Sequence, residues 1–396
     1  MITFKEAYEN VLTHHINLGK EEVSLTESLG RILAEPISAD RDFPPFDRVT
    51  KDGIAIRYAA LKDGLSKFKI EGVVSAGMPQ QELKDMGACL EVMTGSVLPS
   101  NADTVIMYEH LTIDNGCATI NEEVTKGQNI HYKGSDESKG TILLEEGKKI
   151  APAEIGVMAS VGKAKLYVKT LPKVCTISTG NELVDFEITP KPHQIRKSNN
   201  VTLQVALSSL GLKPITMHLK DDKSAIEKGL HRALKENDVL LLSGGVSKGK
   251  FDFIPEVMDS LGVEKVFHRV AQRPGKPFWF GVHKSLGTVI FSFPGNPVST
   301  FANYHLYFLP WLNTSWNIPV ARHIVRLNTS IQISPPLTRF VQVQTNWQEG
   351  ALYATPVTEN GSGDLISLAK SDGFICLEPK EATYKVGDMV PFISTR

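Results

Sequence analysis

The 396 residues are 41% hydrophobic and 22% charged, enough for about two to four folded units with buried cores; this excludes a disordered or low-complexity chain. Lys and Arg total 43 against 44 Asp and Glu, so the formal charge of -1 excludes a general field for nucleic acid or anionic membrane, and an ionic ligand must meet a local cluster. No run reaches the ~18 apolar residues of a membrane span, no apolar stretch follows the N-terminus as a leader would require, and four scattered cysteines without CxxC spacing argue against zinc, iron-sulfur or disulfide frameworks. The expectation is a cytoplasmic protein with neither a nucleic-acid nor a membrane partner.

In chain order, Thr3 and Glu6 form a capping box ahead of Phe4, Ala7 and Val11, predicting an amphipathic helix, and a second short helix is expected over 25–34. Pro44-Pro45 stops regular structure. Short alternating runs over 68–74, 104–108 and 118–124 then predict a β-rich unit. Pro152 opens a helix that Gly162 ends, and a strand follows over 165–169. Beyond Pro172, strands over 173–178, 215–219 and 239–242 alternate with helices over 198–211 and 224–235, the pattern of a doubly wound, mostly parallel α/β sheet. After Trp311, strands over 340–344, 352–356, 374–378 and 389–393 predict a small β-barrel.

In such a sheet ligands gather beyond the carboxyl ends of the strands. Those ends carry Ser178-Thr179-Gly180-Asn181-Glu182, Ser243-Gly244-Gly245-Val246-Ser247 and Pro294-Gly295-Asn296-Pro297. Gly244 to Lys250 fits GxxxxGK, but Phe251 stands where a P-loop needs Ser or Thr for magnesium; the paired glycines read either as a tight turn or as bare backbone for a phosphate or pterin. Lys265, Arg269, Arg273 and Lys276 form a basic cluster free of acids, and the turn at Pro274-Gly275 lets Arg273 and Lys276 converge on one oxyanion. Asp52, Asp136, Glu182, Asp221, Asp222 and Asp252 are hard-oxygen donors suited to Mg2+, although Asp222 equally suits a helix cap. Neither HExxH nor GxSxG is present.

The ordered set Pro44-Pro45-Phe46-Asp47, Asp52-Gly53, Val92-Met93-Thr94-Gly95, Gly134-Ser135-Asp136, Ser178 to Leu183, Ser198-Asn199, Ser243 to Ser247, Arg273 to Pro277 and Pro294 to Ser299 resembles the molybdopterin molybdenumtransferases, the MoeA type that also forms the gephyrin E domain. The resemblance implies a homodimer of four-domain chains. These are a discontinuous helical connector (1–42 plus 128–171), a β-rich domain (43–127), a central α/β molybdopterin-binding domain (172–315) and a C-terminal β-barrel (316–396). It implies insertion of molybdate into adenylylated molybdopterin with Mg2+, releasing AMP. Molybdopterin adenylyltransferase and cofactor-delivery proteins are the implied partners.

By the same resemblance Asp52, Thr94, Asp136, Glu182 and Asp252 are catalytic, and Glu182, Asp222 and Asp252 hold the metal. Arg273, Lys276, Ser299, Arg339 and Ser367 bind molybdate. Gly180, Ser243, Gly244, Gly245, Ser247, Pro294 and Pro297 bind the pterin or nucleotide. Asp52, Thr94 and Asp136 are expected from the other subunit. Three residues depart from the family pattern: Lys51 replaces Met, Asn181 replaces Asp, and Arg273 replaces Lys. Asn181 and Lys51 also support an alternative reading, a catalytically weakened binding scaffold.

Overall fold

The computed structural model describes residues 1–246, 252–321, 323–333, 336–379 and 383–396. At its centre six strands run in the order Ile215–Leu219, Val174–Thr179, Val239–Ser243, Thr288–Phe293, Trp279–His283 and Glu264–His268. The first four are parallel, Trp279–His283 runs antiparallel to them, and Glu264–His268 pairs antiparallel with Trp279–His283. Every residue of the three inner parallel strands is buried, as apolar strands covered on both faces require.

The period of two divides the sheet's side chains between two cores. Val174, Leu241 and Phe291 pack with Leu203 and Leu207 of helix Ser198–Ser208 and with Val298 and Ala302. Cys175, Leu240, Leu242 and Ile290 face helices Lys223–Glu236 and Ile254–Ser260. A helical run from Pro297 to Ser315, with a π-helical stretch at Tyr304–Phe308, follows the loop that ends strand Thr288–Phe293.

The N-terminal helix Phe4–Thr13 has its capping box, with Glu6 N donating to Thr3 Oγ1 at 3.2 Å and Thr3 N to Glu6 Oε2 at 2.8 Å. Its buried Ala7 and Val11 belong to the central core, and Phe4 packs edge-on against Phe340 and Tyr307. The helix expected over 25–34 is only a 3-10 turn, Leu25–Glu27. Backbone bridges Ile32 to Lys149 and Leu33 to Val168 draw the rest into extended pairing, which overrides local propensity.

Strand Lys20–Ser24 pairs with Lys165–Lys169, and Leu33, Ile37, Leu144, Met158 and Val168 share one small core, so two segments distant in sequence fold together. The β-rich sheet runs Thr104–Met107, Gly53–Ile56, Ala88–Val92, Lys67–Val74, Cys117–Ile120, Leu111–Asp114. The C-terminal strands His323–Leu327, Thr338–Gln348, Ala351–Pro356, Gly373–Leu377 and Met389–Ser394 close into a barrel through the pairing of Thr338–Gln348 with Gly373–Leu377. Gln272–Arg273 adds to its rim beside Thr338 and Arg339, tying the barrel to the central unit. No helix among the described residues is long and apolar enough to cross a membrane.

Candidate active site

A cleft of about 520 Å3 opens beyond the carboxyl ends of the parallel strands, lined by Thr179, Gly180, Glu182, Ser243, Gly244, Gly245 and Pro297. Gly180 has φ +134°, a conformation that requires glycine, and the Glu182 carboxylate folds over it where a Cβ would stand. Asn181 N donates to Asp221 Oδ2 at 3.1 Å, and Asp221 N to Asn181 Oδ1 at 3.3 Å. Of the paired glycines, Gly244 donates its N–H to Phe293 O at 3.1 Å, and Gly245 beside it lines the cleft.

Three carboxylates line the cleft: Glu182, Asp221 and Asp252. Asp222, expected as a metal ligand, is the N-cap of helix Lys223–Glu236, accepting Ala225 N at 2.8 Å; with the helix starting directly after it, its side chain is used by the cap, and Asp221 is the acid on the cleft. Among the described residues no three acids or histidines stand ready as a metal cage. Ser247 lies outside the described residues.

A second cavity of about 240 Å3 is lined by Arg273, Pro274, Gly275, Lys276, Pro294, Ser299 and Ser362. The parallel register places Arg339 next to Arg273. Burial, and then the like charge of Arg273, pull the Arg339 pKa down, while Glu359 opposes them. Cations crowded this way, joined by Lys276, are matched to an oxyanion.

The turn between Arg273 and Lys276 is held from beneath. Gln272 Nε2 donates to Pro274 O and Asn303 Oδ1, both at 2.9 Å, Asn303 Nδ2 donates to Gly275 O at 3.4 Å, and the buried Tyr307 hydroxyl donates to Gln272 Oε1. Gly275 has φ +90°, and a Cβ there would collide with Asn303 and Gln272. Tyr307→Phe leaves Gln272 Oε1 without its donor and is expected to cost about 1–3 kcal/mol, read by urea denaturation.

Ser299 is buried and lines this cavity. Ser367 does not. It is 2% exposed, accepts Gln342 Nε2 at 2.9 Å and donates to Asp364 O at 2.7 Å, so its hydroxyl is consumed inside the barrel. The barrel serine on the cavity is Ser362, whose Oγ accepts Asn296 Nδ2 at 2.7 Å.

Asp52 accepts both Thr94 N and Thr94 Oγ1 at 2.6 Å, and these bonds hold its carboxyl below the ordinary range. Asp136 lies 2.7 Å from His131 Nε2, whose Nδ1 receives Arg48 at 2.9 Å; since guanidinium only donates, His131 is set to donate toward Asp136. Asp52, Thr94 and Asp136 line neither cavity of the single chain. A third cavity, about 770 Å3, lies on the barrel around Trp347 and Met389 and contains none of the sequence-predicted residues.

Sequence reasoning missed the residues that hold the site together: Gln272, Asn303, Tyr307, Ser362 and, as a side chain with a role, Asn199. Only Asn199 carried a signal, beside Ser198 at a helix start.

A doubly wound sheet with acids at its strand ends, a cationic cavity alongside and β units on either flank defines a multidomain protein built on an α/β core. Residues 175–314 match the family model described as a probable molybdopterin binding domain, 2–162 the MoeA N-terminal region (domain I and II) and 325–395 the MoeA C-terminal region (domain IV). The chain is 41% identical over 396 residues to the molybdopterin molybdenumtransferase of Synechocystis, covering 99% of each. It is 30% identical over 404 residues to that of Staphylococcus epidermidis, covering 100% of this chain and 96% of the relative. A crystal structure of the molybdopterin biosynthesis MoeA protein of Pyrococcus horikoshii superposes with a TM-score of 0.84 at 31% identity, covering 100% of this chain and 99% of that one. The chain belongs to the molybdopterin molybdenumtransferase (MoeA) family, transferases of molybdenum cofactor biosynthesis.

Proposed function

We propose that the protein transfers molybdate into adenylylated molybdopterin with Mg2+, releasing AMP and forming molybdenum cofactor. The observation that carries this reading is the adjacency of two unlike cavities: an acid-lined cleft and a cationic cavity share Gly295 and Asn296 as a common wall. Arg273, Lys276 and Arg339 hold the molybdate dianion, with Ser299 as a neutral donor. In the cleft, Gly245 N–H and Ser243 meet the phosphate and pterin portion of the other substrate.

The donor set fits Mg2+, which takes one or two carboxylates and completes its shell with water and phosphate oxygens, so a cleft with scattered acids and no preformed cage suits it. Glu182, Asp221 and Asp252 would hold it, and when bound it offsets the negative charge that builds up as the phosphoanhydride breaks. Asn181 keeps Asp221 in place through their reciprocal bonds and does not add a fourth carboxylate. Incubation with adenylylated molybdopterin, molybdate and Mg2+ is expected to yield AMP and active cofactor; no AMP overturns the reading.

The dimer belongs to the same proposal. The partner subunit's Asp52, Thr94 and Asp136 complete each cleft, a molybdopterin adenylyltransferase supplies the substrate, and cofactor-delivery proteins accept the product. Refolding Asp52→Ala and Glu182→Ala chains together in equal amounts is expected to restore about a quarter of wild-type activity, because half the dimers are mixed and each of those regains one intact site. No recovery places Asp52 and Glu182 in the same subunit's site.

A further inference from the structure

The wall between the cleft and the cationic cavity is the segment from Pro294 to Pro297. It is tethered on the cavity side, where Asn296 Nδ2 donates to Ser362 Oγ at 2.7 Å and Val298 N to Ser362 O at 3.1 Å. On the cleft side the tether is Asn199, in the first turn of helix Ser198–Ser208. Its Nδ2 donates to Gly295 O at 2.7 Å and Ser243 Oγ at 2.8 Å, with Thr300 Oγ1 at 3.3 Å. Thr300 spends its own proton on Pro294 O at 2.6 Å, so it faces Asn199 as an acceptor. One carboxamide therefore pins a strand end, the wall and the helix beyond it.

We propose that Asn199 is a positioning residue that fixes the wall so that the pterin nucleotide in the cleft and molybdate in the cavity meet at reacting distance. This rests on the functional reading above. Of the groups assigned to the two ligands, only Ser243 bonds Asn199 directly. The cations of the cavity are held by Gln272, Asn303 and Tyr307, and the cleft acid Asp221 is held by Asn181. Loss of the carboxamide leaves both ligands bound and lets the wall shift, and a misplacement of about 1 Å at a reacting pair lowers rate by about 10²-fold.

The test uses full-length Asn199→Ala and the isosteric Asn199→Asp, which keeps the size and removes both N–H donors. Calorimetry with molybdate and with AMP is expected to give dissociation constants within about threefold of wild type, while kcat for AMP release at saturation falls at least about thirtyfold. An unchanged kcat, or affinities for both ligands that fall in step with kcat, overturns the proposal, the latter being what a merely structural residue would do. If wild type itself releases no AMP, the functional reading fails instead, and linkage still decides the inference. Molybdate and AMP are expected to alter each other's affinity by one common factor in wild type, and that factor is expected to collapse to about one in both variants; an equal factor in wild type and variants contradicts it.

Discussion

Glu182→Ala is expected to lower molybdate-dependent AMP release by about a thousandfold, with a melting temperature unchanged within about 2 °C. The two halves of this expectation have separate physical causes. Glu182 lies on the cleft, its carboxylate over Gly180, and its backbone carbonyl still accepts Ile195 N at 2.9 Å whatever the side chain. Removing the carboxylate therefore creates no cavity and orphans no buried donor. What it does remove is a cleft acid that, on the function proposed above, would hold Mg2+ against a phosphate. Glu182→Gln, which keeps the shape and loses the charge, is expected to be nearly as inactive; a glutamine variant at wild-type rate would show that the carboxylate is not a reacting-site group.

Arg273→Ala combined with Lys276→Ala is expected to weaken molybdate binding by about 10²-fold or more, leaving AMP affinity within about threefold. The turn that carries both cations is anchored by Gln272, Asn303 and Tyr307, so truncating two exposed side chains leaves the cavity's shape intact and takes away its charge. Arg339 remains, relieved of its like-charged neighbour, and alone cannot enclose a dianion from both sides. Titration calorimetry at two salt concentrations checks this: the wild-type affinity falls with salt, and the double variant loses most of that dependence. Unchanged molybdate affinity would remove the oxyanion from this cavity.

The strand ends were legible because glycines and acids follow continuous apolar runs, and burial on both faces leaves only the carboxyl edge for polar chemistry. The basic turn was legible from Arg273-Pro274-Gly275-Lys276 alone. Choosing between Asp221 and Asp222 required knowing where the helix starts, a matter of one residue that decides which acid caps and which lines the cleft. Ser367 and Ser362 sit on one short stretch of the barrel, and only the fold reveals that the first is sealed against Gln342 while the second reaches the cavity. The network beneath the turn joins Gln272 to residues 31 and 35 positions away, through polar side chains that carry no periodic signal. The short helix misjudged over 25–34 failed for a related reason: its backbone bonds go to residues 148, 150, 167 and 169.

The wall from Pro294 to Pro297 divides the cationic cavity from the acid-lined cleft, and on the proposed reading it divides molybdate from the nucleotide-pterin it joins. Diffraction at the molybdenum edge from crystals holding molybdate and AMP tests it most directly. The expected result is an anomalous peak among Arg273, Lys276 and Ser299, with the AMP phosphate across the wall near Gly245 and Glu182. A molybdenum peak on the acid-lined side, or AMP bound away from the cleft, would contradict it.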